Sequence, residues 1–281
     1  MINKTISFAL FDVGIKHHKD QYIYWENVPY ILIAFSEIYK GFTLKFYVNT
    51  NSIDHKIFGL LKRASEINSD IQIEVVSDKS VGTKFTTWRM KPLWEDIDYL
   101  FCRDLDYTIT KVERESVEFF LKSGRLIHGI RSYSLHTAPI MAGLCGFKVK
   151  DVSGKIKGKF KSFQEYIDWG HKHLPYCSDW RWGCDQALLQ ELFNTDDLSK
   201  FILDCPQYTA TKLVSIKTKP VSVNEYAGID ILNCNLEMLE YSDSLCERFT
   251  GAPYICTRDQ IKRAIELVNN DLTKTVKEFY A

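Results

Sequence analysis

The sequence lacks any long apolar segment. Its longest apolar runs, such as Ile6 to Phe11 and Tyr30 to Phe35, are far shorter than the roughly 20 residues that a bilayer-spanning helix needs. This absence predicts no transmembrane helix. The first residues also lack the apolar core and the small-residue cleavage site of a signal peptide, which predicts a cytoplasmic protein, in the host cytoplasm if the chain is viral.

The sequence also has no net charge and no paired cysteine motif. Lysine plus arginine and aspartate plus glutamate each number 36, so no global charge draws the protein to nucleic acid or an anionic membrane. The eight cysteines are dispersed, without CxxC pairs or the Cys/His spacing of zinc sites, and we expect reduced, mostly buried thiols. With 45% hydrophobic residues, the 281-residue chain can bury one large core.

Apolar segments alternate between the spacing of strands and that of helices. Strands are predicted at 5–10, 43–48, 71–76, 97–102 and 126–130, and helices at 27–39, 57–67, 113–122, 163–173 and 185–193. The alternation predicts an α/β fold with a mostly parallel central sheet and helices on both faces. Residues 148–161, rich in lysine and glycine, are predicted to form a linker.

The chain divides by pattern into two parts. Residues 1–200 are predicted to form one α/β domain. Residues 201–281, with strand patterns at 212–223 and a long helical pattern at 257–279, are predicted to form a C-terminal extension that packs on the same domain.

Two aspartates follow the strand predicted at 97–102. In open α/β sheets, ligands collect beyond the carboxyl ends of the strands, where Asp104 and Asp106 would lie. Two carboxylates there can hold one hard divalent cation, Mn²⁺ or Mg²⁺, that also binds a diphosphate. Taken alone, two nearby aspartates after a strand are more often a solvated turn than a metal site.

The surroundings of this tripeptide resemble a known family. The segments Thr-Trp-Arg-Met-Lys-Pro-Leu at 87–93, Tyr-Leu-Phe-Cys-Arg-Asp-Leu-Asp at 99–106 with Arg114-Glu115, and Gly-Cys-Asp-Gln-Ala-Leu-Leu at 183–189 are similar to the donor site of GT-A glycosyltransferases. The segment 131–146 adds Arg131, His136 and the run 139–144 before Gly146. The chain most resembles a bacterial and viral group with an RDxD motif, over residues 87–193. Ser132 replaces the aspartate usual after the arginine.

The resemblance implies a GT-A (Rossmann-like) fold and a hexosyl- or pentosyltransferase. Residues 1–200 would then be the catalytic domain that binds the nucleotide-sugar, and residues 201–281 would contribute to the acceptor site. Its donor would be a nucleotide-sugar, with UDP favoured, bound through Mn²⁺ or Mg²⁺. Asp104 and Asp106 would hold the metal, with Asp106 the preferred direct ligand. His136 would complete the metal shell or contact the diphosphate; a structural, hydrogen-bonded histidine is the alternative.

The resemblance also implies a set of donor-binding residues. These are Phe11, Asp12 and Gly14 after the first strand, together with Arg89, Lys91, Arg103, Asp104, Arg131, His136 and Gly143. Several of them have a structural alternative. Asp12 would cap a turn, Arg89 and Lys91 would be solvated cations, and Arg103 would fix the strand end or pair with an aspartate. Gly143 would admit the donor sugar or simply permit a turn.

Catalysis would involve Asp185 and Gln186, which the resemblance puts beside the reacting sugar; an ordinary N-cap is the alternative for Asp185. The pair favours a retaining reaction. The acceptor is predicted to be a glycan, or a hydroxymethylated DNA base if the chain comes from a phage, with lysines of 148–161 as a phosphate-binding patch. Trp169, Tyr176, Trp180 and Trp182 would form an acceptor platform or part of the core. A nucleotidyltransferase acting on a sugar phosphate and a non-catalytic carbohydrate-binding protein are the other interpretations.

Overall fold

The structure is a computed structural model. It describes residues 2–11, 25, 28, 31–32, 35, 39–53, 56–77, 82–105, 111–131, 140–178, 183–193, 202–206 and 214–215. Several predicted features lie outside these residues, namely Asp12, Gly14, Asp106, His136, Trp180, Trp182 and the helix at 257–279.

The described strands form one eight-stranded sheet. They are β1 Lys4–Leu10, β2 Thr43–Asn49, β3 Ile71–Val76, β4 Tyr99–Arg103, β5 Ile127–Arg131, β6 Leu144–Lys148, β7 Ile202–Pro206 and β8 Val214–Ser215. The strand order is β3-β2-β1-β4-β6-β5-β7-β8. Strand β6 runs antiparallel to β4 and β5, and the other paired strands are parallel. The predicted α/β class with a mostly parallel sheet is confirmed.

The described helices are α1 Lys56–Ile67, α2 Lys111–Ser123, α3 Val149–Lys159, α4 Phe163–His173, α5 Pro175–Ser178 and α6 Cys184–Leu192. A run of 3₁₀ turns, Gly82–Trp94, joins β3 to β4 and is called the 3₁₀ segment below. Among the helices of the described part, none combines the length and the apolar character that crossing a bilayer requires.

The helices cover both faces of the sheet because the side chains of a strand alternate between its faces. On β4, Phe101 joins the core under α1 and α2. Its neighbours Leu100 and Cys102 join a second core that α3, α4, α6 and the 3₁₀ segment complete. The sheet is therefore the middle of three layers. Nearly every side chain of its central strands is buried, which requires helices on both faces.

The linker predicted at 148–161 is wrong, because α3 spans most of it. Val149, Val152 and Ile156 recur at helical spacing and are buried against the sheet and the 3₁₀ segment. Burying this stripe outweighs the low helix propensity of Gly154 and Gly158. The lysines of α3 therefore stand on an ordered, outward face of the protein.

Candidate functional site

The candidate site begins at the carboxyl end of β4. Arg103, the last residue of β4, pairs with Leu144, the first residue of β6. Asp104, the first residue after β4, therefore lies beside Gly143. Its backbone N–H donates to the Gly143 carbonyl at 3.2 Å. The side chain of Asp104 is 35% exposed, so it is open to a ligand from solvent.

Arg89 reaches this point from the 3₁₀ segment. Its Nη1 donates to Asp104 Oδ1 and its Nη2 donates to Asp185 Oδ2. The Cys102 thiol donates to the Arg89 backbone carbonyl at 3.4 Å, which ties the 3₁₀ segment to β4. Arg89 thus joins two carboxylates that are 81 residues apart in the chain, an aspartate after a strand and an aspartate in a helix.

Asp185 is the second residue of α6. The N-cap is Gly183, whose φ of 85° is left-handed and favours glycine, so the predicted N-cap alternative for Asp185 is wrong. Its carboxylate accepts from Arg89, from Thr86 Oγ1 at 3.1 Å and from the backbone N–H of Gln186 at 2.8 Å. The carboxylate is therefore buried and held by three donors from two elements.

Burial and charge act on this pair in opposite directions. Burial raises the pKa of the Asp185 carboxyl above its ordinary value; Arg89 opposes this rise, and Asp104 adds to it. Burial disfavours the charged guanidinium of Arg89, but Asp104 and Asp185 outweigh that effect and raise the pKa of Arg89. Arg89 is therefore a permanent cation, and the three side chains together carry a net charge of −1 when both aspartates are ionised.

Gly143 leaves space for the Asp104 carboxylate. A Cβ built on Gly143 would lie 1.7 Å from Asp104 Oδ2 and 2.2 Å from its Cγ. Gly143 lies in a turn, as the alternative predicts, and the Leu144 N–H donates to the Met141 carbonyl at 2.9 Å across it. Its φ is not positive, so the turn by itself does not require glycine. The missing side chain is what allows Asp104 to meet Arg89.

Arg103 is buried within the sheet at the strand end. Its Nη1 donates to the carbonyls of Cys102 and Cys145, both at 2.8 Å, and its guanidinium lies 5.7 Å from the centre of the Phe101 ring. These contacts join β4 to β6 below the site. They agree with the interpretation that Arg103 fixes the strand-end geometry.

The other described donor candidates have contacts of their own. Lys91 forms an ion pair with Glu74 and lies over the ring of Tyr47. Phe11 is buried, with its ring centre 5.8 Å from that of Phe85. Arg131 ends β5, which β6 separates from β4. Lys91 and Phe11 thus contact residues other than Asp104 and Asp185, and Arg131 ends a strand two places from β4 in the sheet.

Asp104 supplies one ligand of the kind that a hard divalent cation prefers. Carboxylate oxygens are what Mg²⁺ and Mn²⁺ prefer, and Asp104 offers one at an exposed position with a net negative charge behind it. Within the described residues, no group of three or more His, Cys, Asp or Glu side chains is arranged to hold a metal ion. Asp106 and His136, the other predicted ligands, lie outside those residues.

Thr86 is a site residue that the sequence did not single out. Its hydroxyl faces Asp185, whereas that of the adjacent Thr87 donates to the Lys84 carbonyl at 2.7 Å within its own turn. No sequence signal separates these two threonines. Of the predicted aromatic platform, the described side chain of Trp169 lies at the edge of the second core, against Phe160.

No protein-family model matches the chain. No curated protein matches it. The chain is similar to the crystal structure of the glycosyltransferase GlyE of Streptococcus pneumoniae TIGR4, at 12% sequence identity and a TM-score of 0.47. The alignment covers 100% of this chain, which spans 64% of the length of that chain.

Proposed function

We propose that this protein is a metal-dependent glycosyltransferase that moves a sugar from a nucleotide-sugar, with UDP favoured, to an acceptor hydroxyl. The observation that carries the proposal is the bridge made by Arg89 between Asp104 and Asp185. Arg89, Asp104 and Asp185 come from three of the segments that resemble a glycosyltransferase donor site, namely 87–93, 99–106 and 183–189. Segments that share one function are expected to meet in space, and these meet at the carboxyl end of a central strand.

The residues divide the work by their surroundings. Asp104, with Asp106, would hold Mn²⁺ or Mg²⁺ against the donor diphosphate. The bound ion would supply charge neutralisation for the departing nucleoside diphosphate. Asp185 is buried and fixed by three donors, so it offers an oriented negative charge to the positive charge that develops at the anomeric carbon. Gln186 follows it on the same helical turn, as a second polar group beside the sugar.

The acceptor is proposed to be a glycan, or a hydroxymethylated DNA base. The outward lysines of α3 bear on this choice, since phosphate contacts weaken steeply with salt. Binding to duplex DNA that falls with rising salt and is lost in a Lys155→Glu, Lys157→Glu variant would support the DNA acceptor. Binding that is equal in both proteins would leave the glycan as the acceptor.

A thermal-shift screen tests the donor. A ligand that binds only the folded state raises the apparent stability, so one nucleotide-sugar among UDP-, GDP-, dTDP- and CMP-sugars should raise the Tm only with Mn²⁺. Asp104→Asn should abolish that shift, whereas Asp151→Asn, an exposed carboxylate on α3, should leave it unchanged. No metal-dependent shift with any donor would contradict the proposal.

Product analysis tests the reaction class. Transfer or slow hydrolysis of a nucleotide-sugar releases a nucleoside diphosphate, whereas nucleotidyl transfer from a nucleoside triphosphate releases pyrophosphate. We expect nucleoside diphosphate, and its release should be lost in Asp106→Asn. Binding of sugar without any release would indicate a carbohydrate-binding protein instead.

A further inference from the structure

Arg89 stands where two carboxylates meet. The side chain of Arg89 is 4% exposed, that of Asp185 is 10% exposed, and that of Asp104 is 35% exposed. Solvent and ligands therefore reach the cluster through Asp104. The guanidinium is held at Nη1 and Nη2 by the two carboxylates, whereas its buried Nε has no hydrogen-bond partner among the described residues.

A divalent cation and Arg89 cannot share Asp104 without cost. Like charges a few ångströms apart repel strongly where the surroundings are partly buried. Arg89 already occupies Oδ1 of Asp104, and the absence of a side chain at Gly143 leaves room beside Oδ2, where a cation would stand a few ångströms from the guanidinium. A cation arriving at Asp104 would therefore gain most if the guanidinium moved away from that carboxylate.

We propose that Arg89 is an exchangeable counter-ion of the donor site. Without ligand it joins Asp104 to Asp185; when a divalent cation binds Asp104, Arg89 gives up that carboxylate, keeps Asp185 and turns its freed Nη1 to the diphosphate. This inference rests on the proposed glycosyltransferase function. It assigns Arg89 two roles of opposite sign, a competitor of the metal and a ligand of the nucleotide.

Binding of Mn²⁺ alone separates this role from a plain structural one. Titration of Mn²⁺ followed by electron paramagnetic resonance should show Arg89→Gln binding the ion ~10-fold or more tightly than the wild type, because a repelling charge is gone. Addition of UDP should reverse the order: with Mn²⁺ present, Arg89→Gln should bind UDP ~10-fold or more weakly, because a charge-assisted hydrogen bond is lost. Lys62→Gln, which removes an exposed cation on α1, should change neither value.

A second background protects the test from misfolding. Arg89→Gln leaves Asp185 buried without its counter-charge, so the same comparison is made in Asp185→Asn, where that carboxylate is absent. Arg89→Lys retains the charge and should keep Mn²⁺ binding near the wild-type value. Equal or weaker Mn²⁺ binding after Arg89→Gln in folded protein, in either background, overturns the inference.

The outcomes also separate this inference from the proposed function. If Arg89→Gln binds Mn²⁺ more tightly but neither protein binds or turns over any nucleotide-sugar, the competition between Arg89 and the metal stands and the glycosyltransferase proposal fails. If the wild type binds a nucleotide-sugar with Mn²⁺ but Arg89→Gln gains no affinity for the ion, the transferase proposal stands and the counter-ion exchange fails.

Discussion

Gly143→Ala is the smallest change that tests how the site is assembled. The new methyl carbon would lie 1.7 Å from Asp104 Oδ2, whereas ordinary contacts begin at 3.4 Å. The carboxylate must therefore move by about 1.7 Å, which is more than its hydrogen bond to Arg89 can tolerate. The backbone of Gly143 does not require glycine, so the effect acts through Asp104 alone.

The expected cost follows from what Asp104 loses. A hydrogen bond to a charged group contributes about 1.5–3 kcal/mol, and the partial exposure of Asp104 points to the lower half of that range. We expect Gly143→Ala to lower the free energy of unfolding by about 1.5–2 kcal/mol. Misplacing a ligand by this distance should also remove the metal-dependent thermal shift with the donor.

A double-mutant cycle with Asp104→Ala, measured by denaturant unfolding, isolates the contact. With Asp104 reduced to a methyl group, Gly143→Ala should cost less than about 0.5 kcal/mol. Gly158→Ala on α3 is the matched control, because a Cβ there meets nothing within 4 Å. This substitution should stabilise the helix by about 0.5–1 kcal/mol and leave donor binding unchanged. Equal costs of Gly143→Ala in both backgrounds would refute the reasoning.

Two further predictions concern residues outside the site. Burial, followed by the charge of Arg103, lowers the pKa of His128 well below its ordinary value. His128 therefore adds stability above about pH 6.5 that is lost as the pH falls. Replacing it in His128→Phe should reduce the slope of the free energy of unfolding against pH, below pH 6.5, by up to about 1.4 kcal/mol per pH unit. Equal acid sensitivity in both proteins would exclude this role. Gly170→Ala would put a Cβ 2.3 Å from Leu188 Cδ2, between α4 and α6; it should cost about 1–2 kcal/mol in thermal unfolding, and the cost should vanish in Leu188→Ala.

Local patterns predicted the elements whose side chains repeat regularly. Strands β1, β2 and β3 and helix α4 lie within a residue or so of their predicted bounds, because alternation and 3.6-residue spacing report which side of an element faces the core. Strand β6 was not predicted, and its antiparallel direction depends on pairing with β4 and β5, which no local pattern encodes. Helix α3 was missed because its glycines and lysines masked a buried stripe of only three residues.

The sequence supplied candidates for the site but not their arrangement. Asp104, Arg89 and Asp185 were named from separate segments, and only the fold brings Arg89 to Asp185 across 96 residues. The same fold turns Lys91 towards Glu74. In a run of 3₁₀ turns, neighbouring residues point in different directions, so a resemblance that covers both Arg89 and Lys91 does not show which one faces the site.

The pKa of Asp185 marks it as a candidate functional residue. Burial raises this pKa, so the protonated carboxyl suits the folded state better than the carboxylate does. Asp185 therefore contributes stability that is complete below its unfolded pKa of about 3.9 and is lost as the pH rises through the folded value. At neutral pH, ionisation of Asp185 lowers the free energy of unfolding, and the attraction of Arg89 only partly offsets this loss. Carboxyls with perturbed pKa values cluster at functional sites, and under the proposed function this carboxylate would face the positive charge that develops on the sugar.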